Sequence, residues 1–94
     1  EKPSAAFLDR LGKAFDFAPP RREGLGVVDT ISAMLAGRIK VFIGMGGNFA
    51  MATPDTPRTW EGLRQCDLTV HVATKLNRSH LVHGRDALIL PCLG

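Results

Sequence analysis

Residues 39–55, reading IKVFIGMGGNFAMATPD, constrain this chain more than any other segment. Ile39, Val41, Phe42 and Ile43 form a β-branched and aromatic run that breaks at Gly44 and leaves through Gly46, Gly47 and Asn48. A buried parallel strand that empties into a Gly-Gly-Asn turn is a place where α/β sheets hold ligands. Glycine accepts left-handed backbone angles and lets a phosphate approach the main chain. The Asn48 amide suits a base, a sugar or its own turn. Gly-Gly-Asn by itself also fits a purely structural turn, so both readings stand at this point.

The flanking patterns extend the strand into an α/β chain. Val27, Val28, Ile31, Met34 and Leu35 recur at helical spacing, with Asp29 in the first turn and Gly37 as a stop. Met34 and Leu35 are expected to pack on the sheet. After the glycine loop, Thr56 as N-cap and Pro57 as first residue open a short helix that runs through Trp60 and Leu63 to about Cys66. Trp60 is expected to cover the sheet rather than stack on a base. Leu68, Val70 and Val72 alternate with Thr69 and His71, which predicts a second strand with one face less buried and His71 partly exposed. Residues 76–82 predict a helical turn capped by Asn77 or Ser79, and residues 87–90 a third strand. Helix and strand in alternation give a three-layer α/β fold with a mostly parallel sheet over residues 27–94. Residues 1–26 read as an irregular or partly helical lead-in. Phe7, Leu8, Leu11, Ala14 and Phe15 sit at helical spacing there, and Pro19 and Pro20 close the segment.

Size and charge narrow the functional classes. Ninety-four residues make at most one modest core. A net charge of +3 without a basic block gives no case for nucleic acid. The absence of a membrane-length apolar run and of a secretory layout sets the expectation of a cytoplasmic protein without direct membrane contact. Cys66 and Cys92 are too far apart for an iron–sulfur run or a zinc knuckle. Two buried thiols are the expectation, with a disulfide between them left open. His80, His83 and Asp86 are close in sequence, but their spacing does not specify a metal site. Phosphate-loop and dinucleotide glycine fingerprints are both missing.

Because Gly46, Gly47 and Asn48 follow one strand and Thr74 and Lys75 follow the next, a parallel sheet puts both loops on one edge. There Lys75 offers a charge to phosphate and Thr74 a hydroxyl. An ordinary turn with a solvated lysine fits Thr74 and Lys75 equally.

Longer runs carry a resemblance. GRIKVFIGMGGNFAMATPDT and EGLRQCDLTVHVATKLNRSHLVHGRDALILPCLG, with FDFAPPRREGLGVVDTISAML before them, resemble the molybdopterin oxidoreductase family, nearest to formate-dehydrogenase-like alpha subunits. That family's Gly-Glu-Asn-Pro loop stands here as Gly46, Gly47, Asn48 and Phe49. Its Thr-Glu-Thr-Ala-like run stands as Thr74, Lys75, Leu76 and Asn77, and its Ala-Asp-Val-Val-Leu-Pro strand as residues 86–91. The resemblance implies a Rossmann-like fragment of a domain that cradles bis(molybdopterin guanine dinucleotide) and molybdenum. Gly46, Gly47, Asn48, Thr74, Lys75, Asn77 and Ser79 become the implied cofactor-binding residues, with no molybdenum ligand and no catalytic residue in this stretch. The remainder of a catalytic subunit becomes the implied partner, and an iron–sulfur cluster is implied elsewhere in it. The resemblance implies no turnover by this piece alone. Two other readings compete: a free-standing nucleotide- or phosphate-binding α/β module, and a scaffold for protein interaction.

Overall fold

Three parallel strands in the order β1 (Val41–Met45), β2 (Leu68–Ala73) and β3 (Asp86–Pro91) organise the computed structural model, which describes residues 2–94. Val41 pairs with Leu68 and Leu68 with Asp86, so the strands begin nearly level. The helices α1 (Ala5–Phe15), α2 (Val27–Leu35) and α3 (Thr56–Arg64) and a 3-10 turn (Arg78–Leu81) complete the α/β class expected.

Local chemistry sets the helix ends. Helix α1 is capped by the Ser4 side chain accepting from the Phe7 amide, 3.2 Å, yet it buries no residue. Its apolar stripe stays outside the core, with Phe7 and Phe15 exposed. Helix α2 stops at Gly37, whose φ of 68° lets the Gly37 amide reach the Met34 carbonyl and the Arg38 amide reach the Ala33 carbonyl. Helix α3 begins one residue earlier than expected. Asp55, not Thr56, is the N-cap, its carboxylate accepting from the Arg58 amide at 3.2 Å, and Thr56 falls inside the first turn. A charged acceptor at a helix start adds dipole stabilisation to the same hydrogen bond.

The core is formed by Met34, Ala50, Leu63, Cys66 and Val82, with Ile39, Phe42, Phe49 and Trp60 packed around it. Met34 therefore lies where expected, while Leu35 is only half-buried. The two thiols differ. Cys66 is buried and Cys92 exposed, and both are unpaired. Burial, and then the adjacent Asp67, push the Cys66 thiol up, keeping it a protonated core group.

The sheet inverts the expected sidedness of β2. Thr69, His71 and Ala73 face the core and are buried, whereas Leu68, Val70 and Val72 are only half-buried on the opposite face. That second face continues as Val41, Ile43 and Met45 on β1 and Leu88 and Leu90 on β3, all exposed. Handedness accounts for the choice. Right-handed crossovers between strands in the order β1-β2-β3 lie on one face, so both connectors cover the same side. Thr69 is tolerated beneath them because its hydroxyl accepts from the Gly84 amide at 3.3 Å. The aliphatic side is where a second helical layer of an α/β sandwich lies, and no helix among the described residues covers it.

Candidate functional site

At the carboxyl edge of β1 the chain turns at Gly46, with φ of 80°, while the Gly46 amide donates 2.8 Å to the Val72 carbonyl of β2. That bond continues the ladder one residue past the strand and joins the glycine loop to the end of β2. Thr74 and Lys75 leave β2 at this same edge, both exposed. The two loops anticipated to share an edge do share it.

Beyond Gly47 the loop closes on itself and on the 3-10 turn. The Asn48 carbonyl accepts from the Met51 and Ala52 amides, both at 3.0 Å. The Asn48 side-chain Oδ1 accepts from the Ser79 hydroxyl at 2.8 Å, and the Ser79 Oγ accepts from the Ala50 amide at 3.0 Å. Asn77 caps the 3-10 turn, its Oδ1 accepting from the Ser79 amide at 2.9 Å, and its Nδ2 donates 3.4 Å to the Gly47 carbonyl. Nδ1 of His80 accepts from the Asn77 amide at 2.9 Å, completing a capping box. Asn77 was expected as a cap and is one. Ser79 is fully buried and both of its polar roles are taken. Asn77 and Ser79 thus latch two loops together, which leaves Gly46, Gly47, Asn48, Thr74 and Lys75 as the groups at the surface of the site.

Trp60 meets the sequence expectation, packing on the core with its Nε1 donating 2.8 Å to the Ala50 carbonyl. It thereby supports the loop.

A cleft of about 330 Å³ lies beside Gly44, Gly47, Asn48, Phe49 and His71. Gly44 keeps its floor clear, since a Cβ there would stand 3.0 Å from the Phe42 ring and 3.1 Å from the His71 Nδ1. Clefts of about 370 Å³ beside Pro20 and Arg22 and about 400 Å³ beside Leu81 and Ile89 are larger, but neither includes the glycine loop. The cleft at the carboxyl end of β1 is lined mostly by apolar groups with Asn48 and His71 as its polar side chains, while Gly46, Thr74 and Lys75 lie outside its lining.

Two imidazoles beneath the loop were not anticipated as a pair. His71 is 4% exposed rather than partly exposed, and its ring lies 5.0 Å from that of His80 and 5.8 Å from that of Phe42. Nε2 of each is buried without a hydrogen-bond partner among the described residues. Nδ1 of His80 faces both the Asn77 amide at 2.9 Å and the Asn77 carbonyl at 3.1 Å, and in the tautomer that accepts from the amide the ring proton sits on Nε2. Alternation with aliphatics hid His71, because the pattern reads the same whichever face is covered. Burial first, and His80 second, hold the His71 imidazole below the ordinary histidine range.

This sets a pH dependence. In the unfolded chain His71 takes up a proton near pH 6.5, before the folded chain accepts one. The stability it confers is therefore complete above about pH 6.5 and declines as pH falls toward the folded value. His71→Phe should flatten the pH 5–7 slope of the urea midpoint relative to the unsubstituted chain. Identical slopes would rule out His71 as the titrating group.

His83 lies apart from this pair, its Nδ1 against the Gly84 carbonyl at 2.7 Å. No three potential metal ligands cluster among the described residues. No helix among them is long and apolar enough to cross a membrane.

Comparison with known proteins finds close relatives along the whole chain. A protein of Mycobacterium tuberculosis named "Uncharacterized oxidoreductase" is 58% identical over all 94 residues, and one of the same name from Mycobacterium bovis is equally similar. A protein of Escherichia coli K12 named "Protein YdeP" is 51% identical over the same 94 residues. The chain spans 12% of the length of each of these relatives. No protein-family model and no solved structure matches it significantly.

Proposed function

We propose that this chain is a portion of the bis(molybdopterin guanine dinucleotide)-binding region of a molybdenum-dependent, formate-dehydrogenase-like oxidoreductase. The observation that carries the proposal is the meeting of the Gly46–Gly47–Asn48 loop and the Thr74–Lys75 segment at one carboxyl edge. The oxidoreductase names of the mycobacterial relatives, at 58% identity over the whole chain, support the reaction class.

The groups present suit such a ligand. A guanine dinucleotide is rich in phosphate and carbonyl oxygens and asks for donors and positive charge. Asn48 supplies an amide, Thr74 a hydroxyl and Lys75 an ammonium. A Cβ at Gly47 would meet no atom within 4 Å, so the loop surface there is open to an incoming group. The metal centre, when bound, supplies the two-electron exchange, while these residues hold and orient the dinucleotide. By itself the chain should show no turnover, because a partial clamp leaves the reacting centre unpositioned.

The protein-interaction reading draws on the open aliphatic face of Val41, Ile43, Met45, Leu88 and Leu90. In relatives roughly eight times as long, such a face has polypeptide available to cover it, which fits a domain portion better than a free-standing module.

Asn48→Ala in the full-length polypeptide tests the proposal. Loss of one ligand hydrogen bond should lower retained molybdenum and guanine nucleotide about tenfold. Metal analysis and nucleotide counting per chain, beside a melting curve of cofactor-free protein, measure it. Unchanged occupancy would remove Asn48 from the binding site.

A further inference from the structure

We infer that Ser79 is a positioning residue that fixes the Asn48 carboxamide with its NH2 group toward the cleft, so that the site selects a hydrogen-bond acceptor. The inference rests on the cofactor-binding reading and adds which atom of Asn48 meets the ligand and what holds it there.

Hydrogen-bond accounting at Ser79 carries the assignment. Its hydroxyl is wholly buried and already accepts from the Ala50 amide at 3.0 Å. The single hydroxyl proton then needs an acceptor, and the Asn48 side chain lies 2.8 Å away. With Oδ1 toward Ser79, every polar atom of the hydroxyl is used. With Nδ2 toward it, the oxygen would accept from two donors while the buried hydroxyl proton had no partner, which is costly. Oδ1 is therefore the latch, and Nδ2 is directed away from Ser79.

Asn48 is half-buried and borders the 330 Å³ cleft, and no described residue accepts from its Nδ2. The Ser79 backbone is in turn held by Asn77, whose amide also grips the Gly47 carbonyl. The donor is thus anchored on two sides before any ligand arrives. An anchored NH2 group favours phosphoryl oxygens, carbonyl oxygens and unprotonated ring nitrogens. Guanine dinucleotide offers all three, and a ligand presenting only donors is refused.

Asn48→Asp separates the two orientations. Aspartate keeps an oxygen for Ser79 but replaces the outward donor with a negatively charged acceptor. In the full-length polypeptide, guanine nucleotide released on denaturation and counted per chain should fall at least about tenfold. The unfolding midpoint of the cofactor-free protein should stay near that of the unsubstituted protein. Ser79→Ala removes the latch and leaves the amide, and should lower both the midpoint and the retained nucleotide, the latter about fivefold. Full nucleotide retention in either variant overturns the inference. So does an Asn48→Asp midpoint that drops as far as that of Ser79→Ala, which is the signature of an inward NH2 group. An unsubstituted protein carrying no guanine nucleotide overturns the cofactor reading, and this inference with it.

Discussion

Gly84→Ala should cost the fold about 3 kcal/mol, the upper part of the range for forcing atoms into a filled interior. An added Cβ would stand 2.2 Å from the Cys66 carbonyl oxygen and 2.9 Å from its carbon. Both are backbone atoms, so no side-chain rotation relieves the contact. Nor is the main chain free to withdraw. The Gly84 amide donates to the Thr69 hydroxyl, the Arg85 amide donates 3.0 Å to the Cys66 carbonyl, and the Asp86 amide donates 2.9 Å to that of Asp67. These bonds set the entry of β3 beside β2, so displacing Gly84 disturbs the strand pairing. Gly44 offers the contrast, since its Cβ would meet side-chain atoms of Phe42 and His71 at 3.0 and 3.1 Å. Urea unfolding of Gly84→Ala beside Gly44→Ala measures both. A Gly84→Ala loss below about 1 kcal/mol would mean that the β2–β3 approach is looser than the geometry described.

Which parts of this arrangement could be read from the sequence follows from the range of the forces involved. Helices α2 and α3 and the three strands announce themselves through local spacing, and Gly37 through its left-handed conformation. The shared edge of the two loops follows from parallel order alone, because consecutive parallel strands deliver their exits on one side. What spacing does not encode is which face a connector covers. Leu68, Val70 and Val72 look like core residues until the handedness of two crossovers assigns the inner face to Thr69, His71 and Ala73. Local preference also failed at the start of α3, where Asp55 and Thr56 are both good caps and the carboxylate prevails.

The candidate site divides along the same line. Gly46, Gly47 and Asn48 stand out because a strand that runs into glycines is a local signal. The latch through Asn77 and Ser79 joins residues 30 and more positions apart, as in the Asn77–Gly47 and Ser79–Asn48 hydrogen bonds. A polar residue in a turn reads as a surface group whether it meets water, ligand or another loop. Burial of Ser79 decides in favour of the loop, and only the folded chain reports that burial.

Leu63→Ala should remove about 3 kcal/mol of stability, within the range measured for leucine truncations in packed cores. Leu63 is completely buried in one cluster with Met34, Ala50, Cys66 and Val82, which come from α2, the glycine loop, the turn before β2 and the approach to β3. The neighbouring Gly62 already brings α3 so close to α2 that an added Cβ would lie 3.1 Å from the Met34 Cβ. Close backbone approach limits inward collapse, so much of the vacated volume should remain as a cavity. For a domain whose whole stability is on the order of 5–10 kcal/mol, the loss is a large share. Ala50 extends the effect to the site, because its amide holds Ser79 and its carbonyl holds Trp60. Leu63→Ala should therefore raise hydrogen exchange at the Ala50 amide more than at the Gly46 amide, which is secured by β2 rather than by α3. Urea unfolding gives the first quantity and exchange measured by NMR the second. Equal acceleration at both amides would indicate a sheet-wide loosening and sever the proposed path from Leu63 to the Asn48 latch.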